Sequence, residues 1–201
     1  MNITIYRVNN MANEEFDRPY EESALLKGSL RLSDNFAAAD LFHKIILSRE
    51  AVREIFSFIE WDIGKRPDSR VEQGGILLGK RFFDRNCGIH YCVVRKAITA
   101  DNAYGSSGYL EITPDCWRDI HEKKDAYNRE RGENEVIVGW FHTHPNLLSC
   151  FMSGTDRNTQ NLFFGGDNTY SIVINPQRQL IKAFRAKECF AAQAILLLNA
   201  P

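Results

Sequence analysis

The most informative segment of the chain is Val136-Ile137-Val138-Gly139-Trp140-Phe141-His142-Thr143-His144-Pro145. Its apolar run is typical of a buried β-strand, and Pro145 ends that strand directly after the second histidine. Side chains alternate faces along a strand, so His142 and His144 point the same way. Asp156 follows His144 by twelve residues, at the start of a predicted helix. Two imidazoles and one carboxylate form a common catalytic zinc set that leaves a fourth position open for water.

The same residues also fit a purely structural arrangement. The two histidines can be ordinary strand residues whose side chains are satisfied by hydrogen bonds. Ser153 and Asp156 are three residues apart, so Ser153 can cap a helix while Asp156 interacts with the positive end of the helix dipole. Spacing alone leaves both interpretations open.

A longer pattern around these residues resembles a known family. The strand, followed by Cys150-Phe151-Met152-Ser153-Gly154-Thr155-Asp156 and Thr159-Gln160, resembles the signature of the JAMM (MPN-plus, JAB) zinc metalloproteases, which remove ubiquitin and ubiquitin-like modifiers. That signature also contains a glutamate in a Glu-x-x-Gly-x-x-x-Gly context, which Glu72-Gln73-Gly74-Gly75-Ile76-Leu77-Leu78-Gly79 matches. The resemblance covers residues 41–185. It departs in one place, because eight residues separate His144 from Ser153 where the family has seven.

The resemblance implies a role for each of five residues. His142, His144 and Asp156 would hold one Zn²⁺ per chain. Glu72 would be the general base that takes a proton from the attacking water and later passes it to the leaving amine. Ser153 would donate a hydrogen bond to the oxyanion of the tetrahedral intermediate. The structural alternatives are a surface charge at a strand start for Glu72 and a plain N-cap for Ser153.

Cys150 lies inside the loop between the predicted ligands. It can be a fourth zinc ligand or a redox-sensitive thiol, or it can simply fill a small buried space. The resemblance favours the last interpretation, because the family has a cysteine at the matching place that does not bind metal.

The resemblance also implies a substrate and a setting. It predicts an isopeptidase or peptidase that cleaves a ubiquitin-like modifier from its target or precursor, with the extended C-terminal tail of the modifier added as a β-strand beside the sheet. The short form resembles prokaryotic members, which occur in operons with ubiquitin-like proteins and conjugation enzymes, some of them in antiviral defence. The alternative is a catalytically silent MPN-type scaffold that binds ubiquitin-like partners.

Composition limits the other possibilities. A chain of 201 residues supports one domain with an appendage, and we divide it into an N-terminal extension (1–40) and a metalloprotease domain (41–201). A net charge of −1 and a pI near 6.5 argue against nucleic acid or an anionic membrane as partner. The apolar run at 190–198 is too short to span a bilayer. Five cysteines without a Cys-x-x-Cys pair or signal peptide predict reduced thiols and a cytoplasmic location.

The hydrophobic pattern predicts alternating strands and helices. We predict strands at 2–8, 75–83, 89–98, 135–141, 170–175 and 179–185. We predict helices at 49–63 with Ser48 as N-cap, at 114–131, from Ser153 to before Gly165, and at 189–198. This order gives an α/β sandwich, a mixed sheet with helices on both sides. It agrees with the MPN/JAB, cytidine-deaminase-like fold that the resemblance implies, in which a mixed, largely antiparallel curved sheet is sandwiched by helices.

Overall fold

The computed structural model of the chain describes residues 15–17, 29–61 and 70–197. The strands are β1 (Glu15–Asp17), β2 (Ser29–Arg31), β3 (His43–Ser48), β4 (Gly74–Asp84), β5 (Ile89–Thr99), β6 (Tyr104–Ser106), β7 (Tyr109–Glu111), β8 (Val136–Thr143), β9 (Tyr170–Asn175), β10 (Leu180–Arg185), β11 (Phe190–Ala191) and β12 (Gln193–Leu197). The α-helices are α1 (Arg49–Phe58), α2 (Pro114–Arg131) and α3 (Gly154–Phe163), and Phe36–Ala38 forms a 3₁₀ turn.

One large sheet organises the chain. Its strand order is β11-β10-β9-β8-β4-β5-β3-β12-β2, and β1 pairs with the end of β4. The central strand β4 is antiparallel to β5 and β8, whereas β8 and β9, β5 and β3, and β3 and β12 are parallel. The predicted mixed, curved sheet is therefore confirmed. The short hairpin β6–β7 forms a separate two-stranded sheet.

Helices cover both faces of the sheet. Neighbouring residues of one strand point to opposite faces, so Leu77 packs toward α1 while Ile76 packs toward α2 and α3. The first core contains Ile45, Val52, Ile55, Leu77 and Phe141. The second contains Ile76, Ile98, Ile120, Trp140 and Val173. Burying each large side chain contributes about 1.5–3 kcal/mol, so both helical layers are bound to the sheet by apolar contacts, as the predicted sandwich requires.

The helix starts follow local capping. The Ser48 side chain accepts a hydrogen bond from the amide of Ala51 at 3.1 Å, which confirms Ser48 as the N-cap of α1. The predicted end of this helix at residue 63 is wrong, because α1 stops at Phe58 and Glu60 has a positive φ of 55°. The predicted helix at 114–131 is confirmed, and it ends at Gly132 in the left-handed conformation that glycine favours.

The predicted C-terminal helix at 189–198 is wrong. The described residues of this segment, up to Leu197, form β11 and β12 instead, and β12 lies between β3 and β2. A short apolar run does not distinguish a helix from a buried strand by its periodicity. In the folded chain β12 pairs with the backbone of β3, and this tertiary pairing outweighs the helix propensity of alanine and leucine.

Four other expectations concern element boundaries and the terminal regions. The predicted strand at 2–8 lies outside the described residues. Of the predicted extension, β1 and β2 join the large sheet, while the division of the chain at residue 40 stays a prediction. Strand β8 extends two residues beyond its predicted end and includes His142. Within the described part of the chain, no helix is both long and apolar enough to cross a membrane.

Candidate metal centre

The two histidines lie where β8 ends between two neighbouring strands. His142 is in register with Gly74 of β4 and Val173 of β9. The amide of His144 donates to the carbonyl of Ile174 at 2.8 Å, so the pairing with β9 continues past the last residue of β8. Backbone hydrogen bonds on both sides therefore fix the two imidazoles on one face, as the alternation of a strand predicts.

The ring of His142 is buried without a hydrogen-bond partner. Its exposed fraction is 1%, and Trp140 stacks on it with ring centroids 4.3 Å apart. Its Nε2 lies 3.2 Å from Oδ1 of Asp156, but neither ring nitrogen meets the geometry of a hydrogen bond with any described residue. Burial lowers the pKa of His142 and outweighs the opposite effect of Asp156. A neutral imidazole with an unpaired buried nitrogen suits a metal ligand.

His144 is oriented by a backbone carbonyl. Its Nδ1 is 2.8 Å from the carbonyl oxygen of Ser149, and because a carbonyl only accepts, Nδ1 carries the hydrogen. In the neutral ring Nε2 then carries a lone pair and lies 3.3 Å from Oδ2 of Asp156. Two such acceptors facing each other require a cation between them or a proton. Burial alone lowers the pKa of His144, but the hydrogen bonds to Asp156 and Ser149 raise it overall.

Oδ2 of Asp156 faces both the start of the helix and His144, while Oδ1 faces His142. Its Oδ2 accepts a 2.7 Å hydrogen bond from the amide of Ser153, and its own amide donates to Ser153 Oγ at 3.2 Å, which completes a capping box. Oδ1 points toward His142. Burial alone raises the pKa of Asp156, but the two neighbouring imidazoles and the hydrogen bond from Ser153 lower it well below its usual value. The capping and ligand interpretations of Asp156 are therefore compatible.

The donor atoms of these three residues converge on one point. One ligand atom from each of His142, His144 and Asp156 lies within 4.8 Å of the others. Donors bound to a tetrahedral zinc at about 2.0–2.1 Å stand about 3.4 Å apart. The separation from Nε2 of His142 to Oδ1 of Asp156 is 3.2 Å, and that from Nε2 of His144 to Oδ2 of Asp156 is 3.3 Å. This geometry, with the unpaired nitrogens of His142, fits a zinc ion.

Glu72 lies beside this cluster, two residues before β4. Its exposed fraction is only 5%, so it is not the surface charge that we considered as an alternative. Its Oε1 is 4.0 Å from Nε2 of His144, and its amide donates to the carbonyl of Ser106 in β6 at 2.7 Å. Burial raises the pKa of Glu72 to about 7, with His144 lowering it and Asp156 raising it further. Such a carboxylate can accept a proton near neutral pH.

Ser153 caps α3 and is half-buried. Its Oγ accepts from the amide of Asp156, which leaves the hydroxyl hydrogen free to donate. The N-cap function is therefore observed, while the oxyanion function stays a prediction.

Two glycines allow the strands beside Glu72 to approach closely. A Cβ on Gly74 would lie 2.6 Å from the carbonyl oxygen of Phe141, and one on Gly75 would lie 2.2 Å from that of Ile98. Any larger residue would push β4 away from β8 or β5, and with it Glu72 from the histidines.

Cys150 does not belong to the metal cluster. Its side chain is buried in the second core, and its Sγ is 3.5 Å from the carbonyl oxygen of Leu180. Burial raises the pKa of this thiol to about 11. These contacts agree with a space-filling thiol rather than a zinc ligand.

Sequence reasoning missed the groups that hold the histidines. Trp140 and Gln160 stand in the quoted motif, but we assigned them no role. The indole Nε1 of Trp140 donates to Oε1 of Gln160 at 2.7 Å, and both side chains are buried. The carbonyl of Ser149 carries no sequence signal at all, since every residue has one.

Comparison with known proteins places the chain in a family. The model of the JAB1/Mov34/MPN/PAD-1 ubiquitin protease family matches residues 42–165, and the chain belongs to this family. This agrees with the resemblance found in the sequence.

Several relatives match part of the chain. The 26S proteasome non-ATPase regulatory subunit 14 of Caenorhabditis elegans is 36% identical over 63 residues, which are 28% of this chain and 20% of that protein. The COP9 signalosome complex subunit 5 of Candida albicans is 40% identical over 62 residues, or 30% of this chain and 10% of that protein. The corresponding subunit of Aspergillus fumigatus is 38% identical over 52 residues, or 26% and 15%. The matches thus span a fifth or less of each relative.

Proposed function

We propose that the protein is a zinc-dependent isopeptidase or peptidase that cleaves a ubiquitin-like modifier from its target or precursor. The observation that carries this proposal is the buried carboxylate of Glu72, 4.0 Å from the nearest ligand nitrogen of the His142, His144 and Asp156 cluster. A metal site without a neighbouring carboxylate can only bind an ion, whereas a site with one has a base that can take a proton from water.

The residues around the site divide the chemistry of amide cleavage. Zinc, when bound, would lower the pKa of a water molecule and polarise the substrate carbonyl. Glu72 is close enough to the cluster to take the proton from this water and then deliver it to the departing amine, without which the amine is a poor leaving group. The hydroxyl of Ser153 would donate to the oxyanion on the substrate carbon.

The substrate class is supported by the family and by the surface beside the site. The family is named for a ubiquitin protease. Large apolar side chains are exposed on the loop after His144 and on the segments flanking Glu72, namely Val71, Tyr104, Tyr109, Leu147 and Phe151. An extended peptide tail with apolar residues would bury them, and β6–β7 offers a strand edge for its backbone.

A catalytically silent MPN-type scaffold for ubiquitin-like partners is the second candidate. It is favoured by the names of the relatives, which describe subunits of large assemblies. The complete ligand set and Glu72 argue against it, because a scaffold does not need a buried carboxyl group whose pKa is about 7. The first proposal also includes three expectations. Residues 1–40 would hold a partner, the protein would be cytoplasmic, and its gene would lie in an operon with conjugation enzymes in antiviral defence.

A cleavage assay tests the proposal. Zinc-loaded wild type should release a reporter fused to the C-terminus of ubiquitin or a ubiquitin-like protein, and a chelator should stop it. Glu72→Gln should retain zinc and lose at least about 100-fold in rate, while Glu122→Gln, an exposed glutamate of α2, should match wild type. If Glu72→Gln cleaves as fast as wild type, the mechanism is wrong. Zinc binding without cleavage of any such fusion would favour the scaffold.

A further inference from the structure

The orientation of His144 depends on the loop that follows it. Residues 145–152 lead from His144 to α3, and the carbonyl of Ser149 in this loop accepts the hydrogen of Nδ1 at 2.8 Å. This bond determines which ring nitrogen faces the metal cluster. The loop is open to solvent at Leu147, which is 85% exposed, whereas Cys150 and Met152 near its end are buried in the second core. Apolar burial therefore does not hold the part around Leu147.

A buried side-chain amide at the end of β9 holds this loop. Asn175 has an exposed fraction of 0%. Its Nδ2 donates to the carbonyl of Leu148 at 2.7 Å and to that of Asn146 at 3.1 Å. Its Oδ1 accepts from the amide of Arg178 at 2.8 Å. Because Leu148 directly precedes Ser149, the position of the Ser149 carbonyl follows from the hydrogen bonds of Asn175.

Asn146 connects the same loop to the segment before Glu72. It has a positive φ of 62°, which asparagine tolerates better than most residues. Its amide donates to Oε1 of Gln177 at 2.9 Å, and Gln177 Nε2 donates back to Asn146 Oδ1 at 3.1 Å. Its Nδ2 donates to the carbonyl of Arg70 at 3.1 Å. The loop is thus tied both to the β9–β10 turn and to the chain that carries Glu72.

We propose that Asn175 and Asn146 are positioning residues that hold the 145–152 loop so that the Ser149 carbonyl keeps the hydrogen on Nδ1 of His144 and leaves Nε2 to the metal. Neither side chain touches the cluster. The inference rests on the proposed function only in taking His144 as a zinc ligand. Without these amides the loop carbonyls turn to water, and the ring of His144 loses the acceptor that fixes its tautomer.

Zinc affinity and the His144 proton test this inference together. The zinc dissociation constant is measured by competition with a chromogenic chelator for wild type, Asn175→Ala and Asn146→Gly. The latter keeps the left-handed backbone, which glycine adopts without strain. Loss of a group behind a metal ligand typically weakens binding about 10- to 100-fold. We expect the zinc dissociation constant to rise about tenfold in Asn175→Ala. In Asn146→Gly it should rise less, by at least about threefold, because Asn175 still binds the carbonyls of residues 146 and 148.

The matched control is Asn35→Ala. The side-chain amide of Asn35 also holds a backbone segment, donating to the carbonyl of Ala183 at 2.7 Å and accepting from the amide of Ala183 at 3.0 Å. Neither of these hydrogen bonds reaches the loop. Asn35→Ala should lower the melting temperature and leave zinc affinity within twofold of wild type.

Nuclear magnetic resonance of the zinc-loaded protein supplies a signature that a general loss of stability does not produce. In wild type the Hδ1 of His144 should be visible because the Ser149 carbonyl protects it from exchange, and in Asn175→Ala it should be lost. Wild-type affinity together with a retained Hδ1 signal in either folded variant would overturn the inference. Absence of zinc binding in wild type itself would instead refute the proposed function.

Discussion

The hydrogen bond between Trp140 and Gln160 gives the sharpest test of how the site is supported. The indole nitrogen and the amide oxygen are 2.7 Å apart, and the two residues are 3% and 0% exposed. Gln160→Met keeps the length of the side chain and removes the acceptor, together with the amide nitrogen that donates to the carbonyl of Phe164 at 2.9 Å. The indole N–H then has no route to water, and such an unsatisfied buried donor costs about 1–3 kcal/mol. For a chain of this size, about 2 kcal/mol lowers the melting temperature by about 4–8 °C.

A double-mutant cycle separates this bond from the loss of packing. Trp140→Phe removes the donor and some buried surface, and the double variant leaves neither polar group unpaired. Because replacing both partners is far less harmful than removing one, the double variant should be more stable than the sum of the singles predicts, by about 1–2 kcal/mol.

The assay is chemical or thermal unfolding in the presence of a chelator, which removes any contribution from bound metal. Strict additivity of the two single changes, or a Gln160→Met variant that melts within 1 °C of wild type, would refute the assigned bond. It would also remove the support that we assign to the ring stacked on His142.

Three further predictions concern the same region. Burial raises the folded-state pKa of Glu72 to about 7, so the metal-free protein loses stability as pH rises from about 4.5 through 7. At pH 8 the unfolding free energy of Glu72→Gln should therefore exceed that of wild type by up to about 3 kcal/mol. An equal difference at pH 4 would contradict this. A Cβ on Gly139 would lie 2.0 Å from the carbonyl oxygen of Tyr170, whereas one on Gly154 meets no atom within 4 Å. Gly139→Ala should therefore lose about 1–3 kcal/mol of unfolding free energy, and Gly154→Ala should lose none. Equal stability of the two variants would disprove the close approach of β8 and β9. In the cleavage assay Ser153→Gly should lower kcat about 100-fold, while the weaker helix cap should lower the unfolding free energy by only a few tenths of a kcal/mol. An unchanged kcat would show that Ser153 takes no part in the chemistry.

Four of the five candidate site residues were predictable because each stands in a local pattern with a geometric meaning. Alternation along a strand places His142 and His144 on one face, and the first turn of a capped helix brings Ser153 and Asp156 together. Glu72 required the family resemblance, because no local period connects it to the histidines. The fold followed from the same regularities, since strands and helices with clear periods and caps were placed within a few residues of their observed ends.

The rest depended on tertiary pairing that a single sequence does not encode locally. The apolar segment that forms β12 has alanine and leucine, which favour a helix when no partner is considered, yet β3 provides a backbone to pair with. The acceptor for His144 is a backbone carbonyl, and its supports come from Asn175 and Gln177 on a distant turn. Such contacts have no signature in residue type or spacing, and only the folded chain reveals them.

The most direct test of the metal site is the zinc content of the purified protein measured by mass spectrometry, with wild type and Asp156→Asn side by side. Asparagine preserves the shape of the side chain but removes the charge that the two imidazoles face. We expect one zinc per chain in wild type and almost none in the variant. Wild type without zinc, or a variant that retains one zinc per chain, would contradict the assignment of His142, His144 and Asp156 as the metal site.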